Sequence, residues 1–381
     1  MAYKVPFVDF PLHYRRMETE VLATVKEVLG RGDLILRDQL RQFESNIASF
    51  LGMEHAIGLN SGTDALYLSL RAAGIGPGDE VITVAHTFVA TIAVIVHCGA
   101  KPVLVDVGED FNMDMDQVEP AITPRTKAII PVHLNGRLCD MEKLMALARK
   151  HKLLVIEDAA QALGAKFNGR KAGTFGLTGC FSLYPAKVLG GFGDGGIVVT
   201  NDADIATRIR LLRDHGQRRE TGDVLCFGFN SRLDNLHAAI LDVKLRYLNS
   251  WLQRRRELAA LYQRGLSDLD DVKLPPPPQA EGRYYDVFQN YVVRARARDR
   301  DRLVGYLKDC GVEVLVNNPI PVHHHQALGL QHFRLPMTER LAQEVVSLPL
   351  NPELSNEQAE FVIDSVRSFY SGRPFAIKGG K

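Results

Sequence analysis

The segment Leu153-Leu154-Val155-Ile156-Glu157-Asp158 joins an apolar run to a pair of carboxylates. A run of large aliphatic side chains without alternating polar residues is typical of a strand that is buried on both faces. Similar runs lie upstream, separated by segments with helical periodicity. We predict strands at Val81–Val84, Lys101–Val107 and Ala128–Val132, and helices at Thr63–Ala73, Phe88–His97 and Met141–His151. This alternation predicts an α/β fold with a mostly parallel sheet covered by helices on both faces.

The pattern continues on both sides of this region. Gly179–Leu183 and Gly196–Thr200 are predicted as further strands, and Gln39–Leu51 has apolar residues near a 3.6-residue period, which predicts a helix. We therefore assign residues 1–245 to a large α/β domain.

The remaining residues, 246–381, are predicted to form a smaller α+β domain. Leu236–Arg264 is expected to be a long, strongly helical stretch that bridges the two domains, and the proline run Pro275–Pro278 is expected to interrupt regular structure. A strand and two helices are predicted after it, at Tyr291–Arg294, Asp299–Cys310 and Asn356–Tyr370. The last residues, 377–381, are expected to be loose.

Composition narrows the functional classes. The formal net charge of the 381 residues is +1, which gives no basic field for nucleic acid. The longest apolar stretches, such as Thr91–Cys98, are too short to span a bilayer, and the N-terminus lacks the apolar core of a signal peptide. Five scattered cysteines without a CxxC pair indicate reduced thiols. We expect a cytoplasmic protein without membrane or nucleic-acid partners.

Three elements carry candidate chemistry. Asn60-Ser61-Gly62-Thr63-Asp64 begins a predicted helix, where free N–H groups can bind an anion, although an ordinary helix cap has the same pattern. Asp158 ends a buried strand and needs a partner, either in a structural salt bridge or on the protonated ring nitrogen of pyridoxal 5′-phosphate (PLP). Lys187 follows Ser182-Leu183-Tyr184-Pro185-Ala186 and precedes a glycine-rich stretch. A lysine in such a place can attack a carbonyl, although most lysines are simply solvated.

Two other patterns are less informative. Gly191–Gly196 matches GxGxxG, but it precedes a predicted strand, whereas a dinucleotide fingerprint opens a helix. His323-His324-His325 invites a metal interpretation. We predict no metal there, because neighbouring side chains diverge and no spaced carboxylate or cysteine partner is evident.

In their order along the chain, the three elements resemble those of fold-type-I PLP enzymes. The local sequence motifs resemble those of the DegT/StrS-type sugar aminotransferases. The resemblance covers nearly the whole chain. It rests on Asn60–Leu66, Gly76–Ile82, Thr87–Thr91, Glu157–Gln161, Lys187 with its glycine-rich sequel, His215-Gly216 and Gly228–Asp234.

The resemblance implies a role for each matching residue. Lys187 would carry PLP as a Schiff base and later move protons, Asp158 would pair with the ring nitrogen, and Gln161 would contact the ring's hydroxyl side. The remaining cofactor-binding positions would be Gly62, Thr63 and Ser182 on the phosphate, Phe88 on the ring face, and Asn230 on the phosphate of the neighbouring subunit's cofactor, which implies a homodimer. Substrate contacts would come from His86, Tyr184, Arg232 and His323.

The implied reaction moves an amino group from L-glutamate to a keto group of a nucleotide-linked sugar. Pro319-Ile320-Pro321-Val322-His323 matches a stretch that borders the substrate pocket in relatives, and Leu163 replaces a histidine that relatives often have there. Both favour a 3-oxo deoxyhexose as the substrate. The aminated products of such enzymes typically become part of surface polysaccharides or antibiotic sugars. The alternatives are a 4-keto sugar, an aminocyclitol precursor, a PLP-dependent sugar dehydratase, a non-catalytic regulator and a plain sugar-nucleotide binding protein. The presence of Lys187 argues against the dehydratase, in which histidine replaces this lysine.

Overall fold

The computed structural model describes residues 3–279 and 282–372. Its central feature is a seven-stranded sheet with the order β1-β9-β8-β5-β4-β2-β3. The strands are β1 His55–Leu59, β2 Glu80–Val84, β3 Lys101–Val105, β4 Thr126–Ile129, β5 Leu154–Asp158, β8 Thr178–Ser182 and β9 Gly196–Thr200. Only β9 runs antiparallel to its neighbours, so the predicted mostly parallel α/β sheet is confirmed.

Helices cover this sheet. They are α1 Phe10–Arg31, α2 Asp38–Leu51, α3 Gly62–Ala72, α4 Ala90–His97, α5 Met141–His151, α6 Ala203–Arg213 and α7 Asn235–Leu245. Successive residues of one strand belong to different cores: Val155 packs in one buried cluster and Ile156 in another. Because side chains alternate along a strand, both faces of the sheet are buried, as the apolar runs predicted.

The C-terminal part has its own sheet and core. The sheet order is β10-β12-β13, formed by Val272–Lys273, Tyr291–Ala295 and Val345–Leu348. The helices are α8 Leu248–Leu266, α9 Ala297–Asp309, α10 Pro336–Glu344 and α11 Asn356–Ser371. A further small sheet joins β11 Tyr284–Tyr285 to β6 Lys166–Phe167 and β7 Arg170–Lys171. The predicted loose tail, 377–381, lies outside the described residues, and the domain boundary near residue 245 stays a prediction.

The helical stretch predicted over Leu236–Arg264 is divided into two helices, because α7 ends at Leu245 and α8 begins at Leu248. The backbone N–H of Tyr247 donates to the carbonyl of Lys244, three residues back, which tightens the last turn. α8 then joins the two cores. Its first turns pack Leu248 and Leu252 in the main core, and its later turns pack residues such as Tyr262 in the C-terminal core.

Several predicted boundaries differ from the observed ones. The helix predicted from Phe88 begins at Ala90, so Phe88 lies before it and is 67% exposed. The strand predicted to reach Val107 ends at Val105, because the next residue, Asp106, turns to cap a distant helix. The elements that were not predicted include β1, β13, α6 and α10 and the two-residue strands β6, β7, β10 and β11.

The state of the cysteines agrees with the predicted reduced thiols. All five cysteines are free, and Cys98, Cys139 and Cys180 among them are buried. Among the residues that the structure describes, no helix has the length and apolar character needed to cross a membrane.

Asp106 connects the large sheet to α10. Its carboxylate accepts hydrogen bonds from the backbone N–H of Met337 (2.7 Å), the N–H of Thr338 (2.8 Å) and the hydroxyl of Thr338 (2.7 Å). Asp106 and Thr338 are both buried. The free N–H groups at the start of α10 are therefore satisfied by a side chain more than two hundred residues away.

We predict that Asp106→Ala destabilises the protein by roughly 2–4 kcal/mol, because it removes a helix cap and leaves buried donors unpaired. The midpoint of urea denaturation measures this loss. Asp202→Ala is the matched control, since Asp202 caps α6 in an exposed, local arrangement. Equal losses in the two variants would contradict the assigned role of Asp106.

Candidate active site

A cavity of about 520 Å³ lies at the carboxyl ends of the central strands. Ligands of open α/β sheets bind at this edge. The cavity brings together eight of the predicted site residues: Gly62, Thr63, Phe88, Asp158, Gln161, Ser182, Tyr184 and Lys187. Its volume is in the range of small-molecule sites.

The start of α3 forms one end of the cavity. Ser61 caps the helix, because its hydroxyl accepts a hydrogen bond from the N–H of Asp64 at 3.0 Å. The N–H groups of Gly62 and Thr63 have no acceptor among the described residues, as expected for a first helical turn. A Cβ at Gly62 would lie 2.8 Å from the Cβ of Ser182, so only glycine allows Ser182 to approach the helix start. The arrangement suits a phosphate group.

Asp158 ends β5 and is buried at the cavity wall. Its carboxylate accepts hydrogen bonds from the hydroxyl of Thr91 at 2.8 Å and from the N–H of Ala160 at 3.2 Å. Burial raises the pKa of Asp158 against the lowering effect of the Thr91 hydrogen bond. A carboxylate in this state is stabilised by a cation, which a protonated ring nitrogen would supply.

Lys187 lies in the same cavity, after β8. Burial lowers the pKa of Lys187, and the negative charge of Asp158 opposes that shift only in part. A lysine with a lowered pKa has a larger fraction of neutral amine, which is the form that attacks a carbonyl.

Gln289 holds the backbone on both sides of Lys187. Its side-chain oxygen accepts a hydrogen bond from the N–H of Val188 at 2.9 Å, and its side-chain nitrogen donates to the carbonyl of Ala186 at 2.7 Å. Gln289 is buried and precedes β12 of the C-terminal sheet. The sequence offered no signal for this contact, because it joins positions about a hundred residues apart.

His133 and Glu157 form a buried pair beside Asp158. The Glu157 carboxylate accepts hydrogen bonds from the N–H groups of Gly173, Phe175 and Gly176. His133 Nδ1 accepts the N–H of Cys139, so His133 Nε2 is the donor to Glu157, at 2.9 Å. Glu157 is thus fully satisfied within the fold, whereas the neighbouring Asp158 lines the cavity.

A second cavity of about 230 Å³ adjoins the first and shares Phe88, Gln161, Tyr184 and Lys187 with it. Its lining adds several side-chain amides and one histidine: Asn135, Asn290, Asn317, Asn318 and His86. His86 stacks on Phe111 with ring centroids 5.8 Å apart. Burial lowers the pKa of His86 to about 4, so the ring is neutral near pH 7. Amides and a neutral imidazole both donate and accept hydrogen bonds, which suits a ligand rich in hydroxyl groups.

Gln161 lies between the two cavities in a fixed orientation. Its side-chain oxygen accepts a hydrogen bond from the N–H of Asn135 at 2.7 Å. The side-chain nitrogen therefore remains as a donor toward a ligand.

Three predicted residues do not line either cavity: Asn230, Arg232 and His323. Asn230 is exposed, and Arg232 donates a hydrogen bond to Asp214 at 2.9 Å. His323 is fully buried beside Glu339. Leu163, predicted to bear on substrate choice, packs in the main hydrophobic core and lines neither cavity, and its effect on substrate choice stays a prediction.

The residues fit PLP by their chemistry. A helix start with free N–H groups, a buried carboxylate with a raised pKa and a lysine with a lowered pKa share one cavity. The exposed ring of Phe88 lies at the same cavity and offers an aromatic face to a flat ligand. The helix start suits the phosphate of PLP, and the buried carboxylate suits its ring nitrogen. The lysine suits its carbonyl carbon, and Phe88 suits the face of its ring.

Comparison with known proteins agrees with this fit. The DegT/DnrJ/EryC1/StrS aminotransferase family model matches residues 15–367. The chain is 43% identical to the "Pleiotropic regulatory protein" of Geobacillus stearothermophilus, over 96% of this chain and 98% of that protein. It is 42% identical to the "dTDP-3-amino-3,4,6-trideoxy-alpha-D-glucose transaminase" of Streptomyces venezuelae, over 96% of each chain.

Among solved structures, the fold is similar to that of S. venezuelae DesV, which was determined in complex with a ketimine intermediate. The TM-score is 0.93 at 42% sequence identity, and the similarity covers 98% of this chain and 100% of that one.

We predict that Gln289→Leu slows the reaction of Lys187 with added PLP by about tenfold or more, because the backbone around the lysine loses both of its buried hydrogen bonds. The rise of absorbance on mixing the cofactor-free protein with PLP measures the rate. Gln289→Glu is the companion variant, since it keeps the acceptor for Val188 and loses only the donor to Ala186. An unchanged rate in Gln289→Leu would contradict the positioning role.

Proposed function

The chain belongs to the DegT/DnrJ/EryC1/StrS aminotransferase family, and we propose that it transfers an amino group from L-glutamate to the C3 keto group of a nucleotide-linked deoxyhexose. It is a PLP-dependent aminotransferase. The observation that carries the proposal is the single cavity in which Lys187, Asp158 and the start of α3 meet beside a second, amide-lined cavity.

When bound, PLP supplies an electron sink for the charge that develops at the substrate carbon. Lys187 would move the proton between the substrate carbon and the C4′ carbon of the cofactor, a task for which a lowered pKa is suited. Asp158 holds the proton on the ring nitrogen. Gly62, Thr63 and Ser182 bind the phosphate at the start of α3, and Phe88 and Gln161 orient the ring.

The amide-lined cavity supports a sugar as the acceptor. Asn135, Asn290, Asn317 and Asn318 offer donors and acceptors at the positions that a hydroxyl-bearing ligand needs. The C3 position is supported by the relative from S. venezuelae, whose name specifies a 3-amino product. His86 and Tyr184 line the same cavity and are proposed to contact this substrate.

We also propose that the working unit is a cytoplasmic homodimer with shared sites. The segment before Asn230 exposes apolar side chains that a monomer leaves in water: Val224, Leu225 and Phe227, the last 98% exposed. Gln217 and Val224 pair as an antiparallel bridge, so the segment projects as a short hairpin. In a dimer this hairpin would be covered, and Asn230 would reach the phosphate in the partner's site while Arg232 stays with Asp214.

We predict that the PLP-loaded protein absorbs near ~420 nm and that L-glutamate shifts this band toward ~330 nm, as in Schiff-base lysine enzymes. Lys187→Ala lacks the first band. The aminated protein is then mixed with 3-keto and 4-keto sugar nucleotides, and NMR locates the new amine. Amination at C4 alone would overturn the proposed position, and a band retained in Lys187→Ala would overturn the assigned lysine.

Shared sites predict complementation between two inactive variants. Lys187→Ala and Asn230→Ala are unfolded together, refolded and assayed against each variant alone. In the mixed dimers one site keeps both wild-type residues, so about a quarter of wild-type activity returns if subunits pair at random. No recovery, or full activity in Asn230→Ala alone, would contradict the shared site.

A further inference from the structure

His323, His324 and Glu339 form a cluster of potential metal ligands outside both cavities. The histidines lie in a 3₁₀ turn, Val322–His324, and Glu339 lies in α10. Glu339 Oε1 lies 3.2 Å from His323 Nε2 and 3.4 Å from His324 Nε2. The three ligand atoms are all within 4.8 Å of one another.

These distances agree with tetrahedral coordination. Zinc binds histidine nitrogen and carboxylate oxygen at about 2.0–2.2 Å, which places neighbouring tetrahedral ligands about 3.3 Å apart. The two measured separations from Glu339 Oε1 match that edge length. A small shift of the exposed His324 side chain would complete three corners of the tetrahedron and leave the fourth for water.

The surroundings also suit a bound ion. His323 is fully buried, and its Nδ1 has no hydrogen-bond partner. With a metal on Nε2 the ring proton lies on Nδ1, and the acceptor that metal-bound histidines usually have there would be a water, since no described residue accepts from this atom. His324 and Glu339 are 44% and 33% exposed, so solvent and ions reach the cluster from one side.

We propose that His323, His324 and Glu339 bind one Zn²⁺ per chain. Two imidazoles and one carboxylate are a ligand set that zinc accepts with water in the fourth position. The ion would fasten the turn at residues 322–324 to α10, whose start is already held by Asp106. The same segment continues back to Asn317 and Asn318 in the second cavity, so the ion would fix one wall of it.

The proposed site differs from the sequence-based prediction of no metal at His323-His324-His325. The carboxylate lies sixteen residues after His323, which matches no familiar ligand spacing. The 3₁₀ turn, instead of the expected extended loop, also brings His323 and His324 together, with ring centroids 4.3 Å apart.

Zinc binding by the PLP-loaded protein tests the proposal. The protein is treated with chelator, dialysed and titrated with ZnCl₂, and bound zinc is counted by equilibrium dialysis with mass-spectrometric detection. We expect one equivalent for the wild type. His324→Gln and Glu339→Gln each weaken binding about tenfold or more, because each removes a ligand. Glu339→Gln keeps a side-chain oxygen for its contact with the N–H of Leu335, so folding is preserved.

His325→Gln is the matched control, since His325 is the exposed neighbour outside the cluster and its loss leaves binding unchanged. All variants are compared in a Cys226→Ser background, which removes the exposed thiol as a competing ligand. Cobalt substitution adds an independent readout, because tetrahedral Co²⁺ has intense visible absorption that Glu339→Gln should lose. Absence of zinc binding in the wild type, or equal affinity in His324→Gln, Glu339→Gln and His325→Gln, would overturn the site.

Discussion

The end of β5 is the constraint on which the site depends. It places two carboxylates side by side in a buried strand, and the alternation of side chains sends them to different surroundings. Glu157 receives three backbone N–H groups and His133, so its charge is satisfied by the fold. Asp158 receives one hydroxyl and one N–H and keeps a raised pKa. The charge of Glu157 is therefore compensated by the protein itself, whereas the carboxylate of Asp158 remains available to a cationic ligand.

The sequence predicted the parts of this molecule that depend on local patterns. Apolar runs such as Val81–Val84 and Leu153–Ile156 marked strands because a strand buried on both faces tolerates few polar side chains. The break between α7 and α8 was not predicted, because Arg246 and Tyr247 keep nearly helical backbone angles. Hydrophobic periodicity reports which side chains face the core and does not register a break of two residues.

The residues of the site also divide into those that a local sequence pattern predicted and those that it did not. Gly62, Asp158 and Lys187 each follow or begin a regular element, so motif and position together located them. Gln289 and Glu339 were missed because their roles arise from contacts across about a hundred residues and across sixteen residues, with no motif around them. Asn230 was expected from resemblance alone and lies outside both cavities of the single chain, so its role stays a prediction.

The hydrogen bonds of Gln289 have a mechanical consequence. This residue leads directly into β12 of the C-terminal sheet, yet it holds the chain at Ala186 and Val188 in the large sheet's active-site loop. The two sheets are thus linked through the segment that carries the reactive amine. Any hinge motion of the C-terminal sheet must either break both bonds or pull that segment with it. An opening of the substrate cavity by such a motion would therefore be coupled to the placement of the amine through the Gln289 side chain.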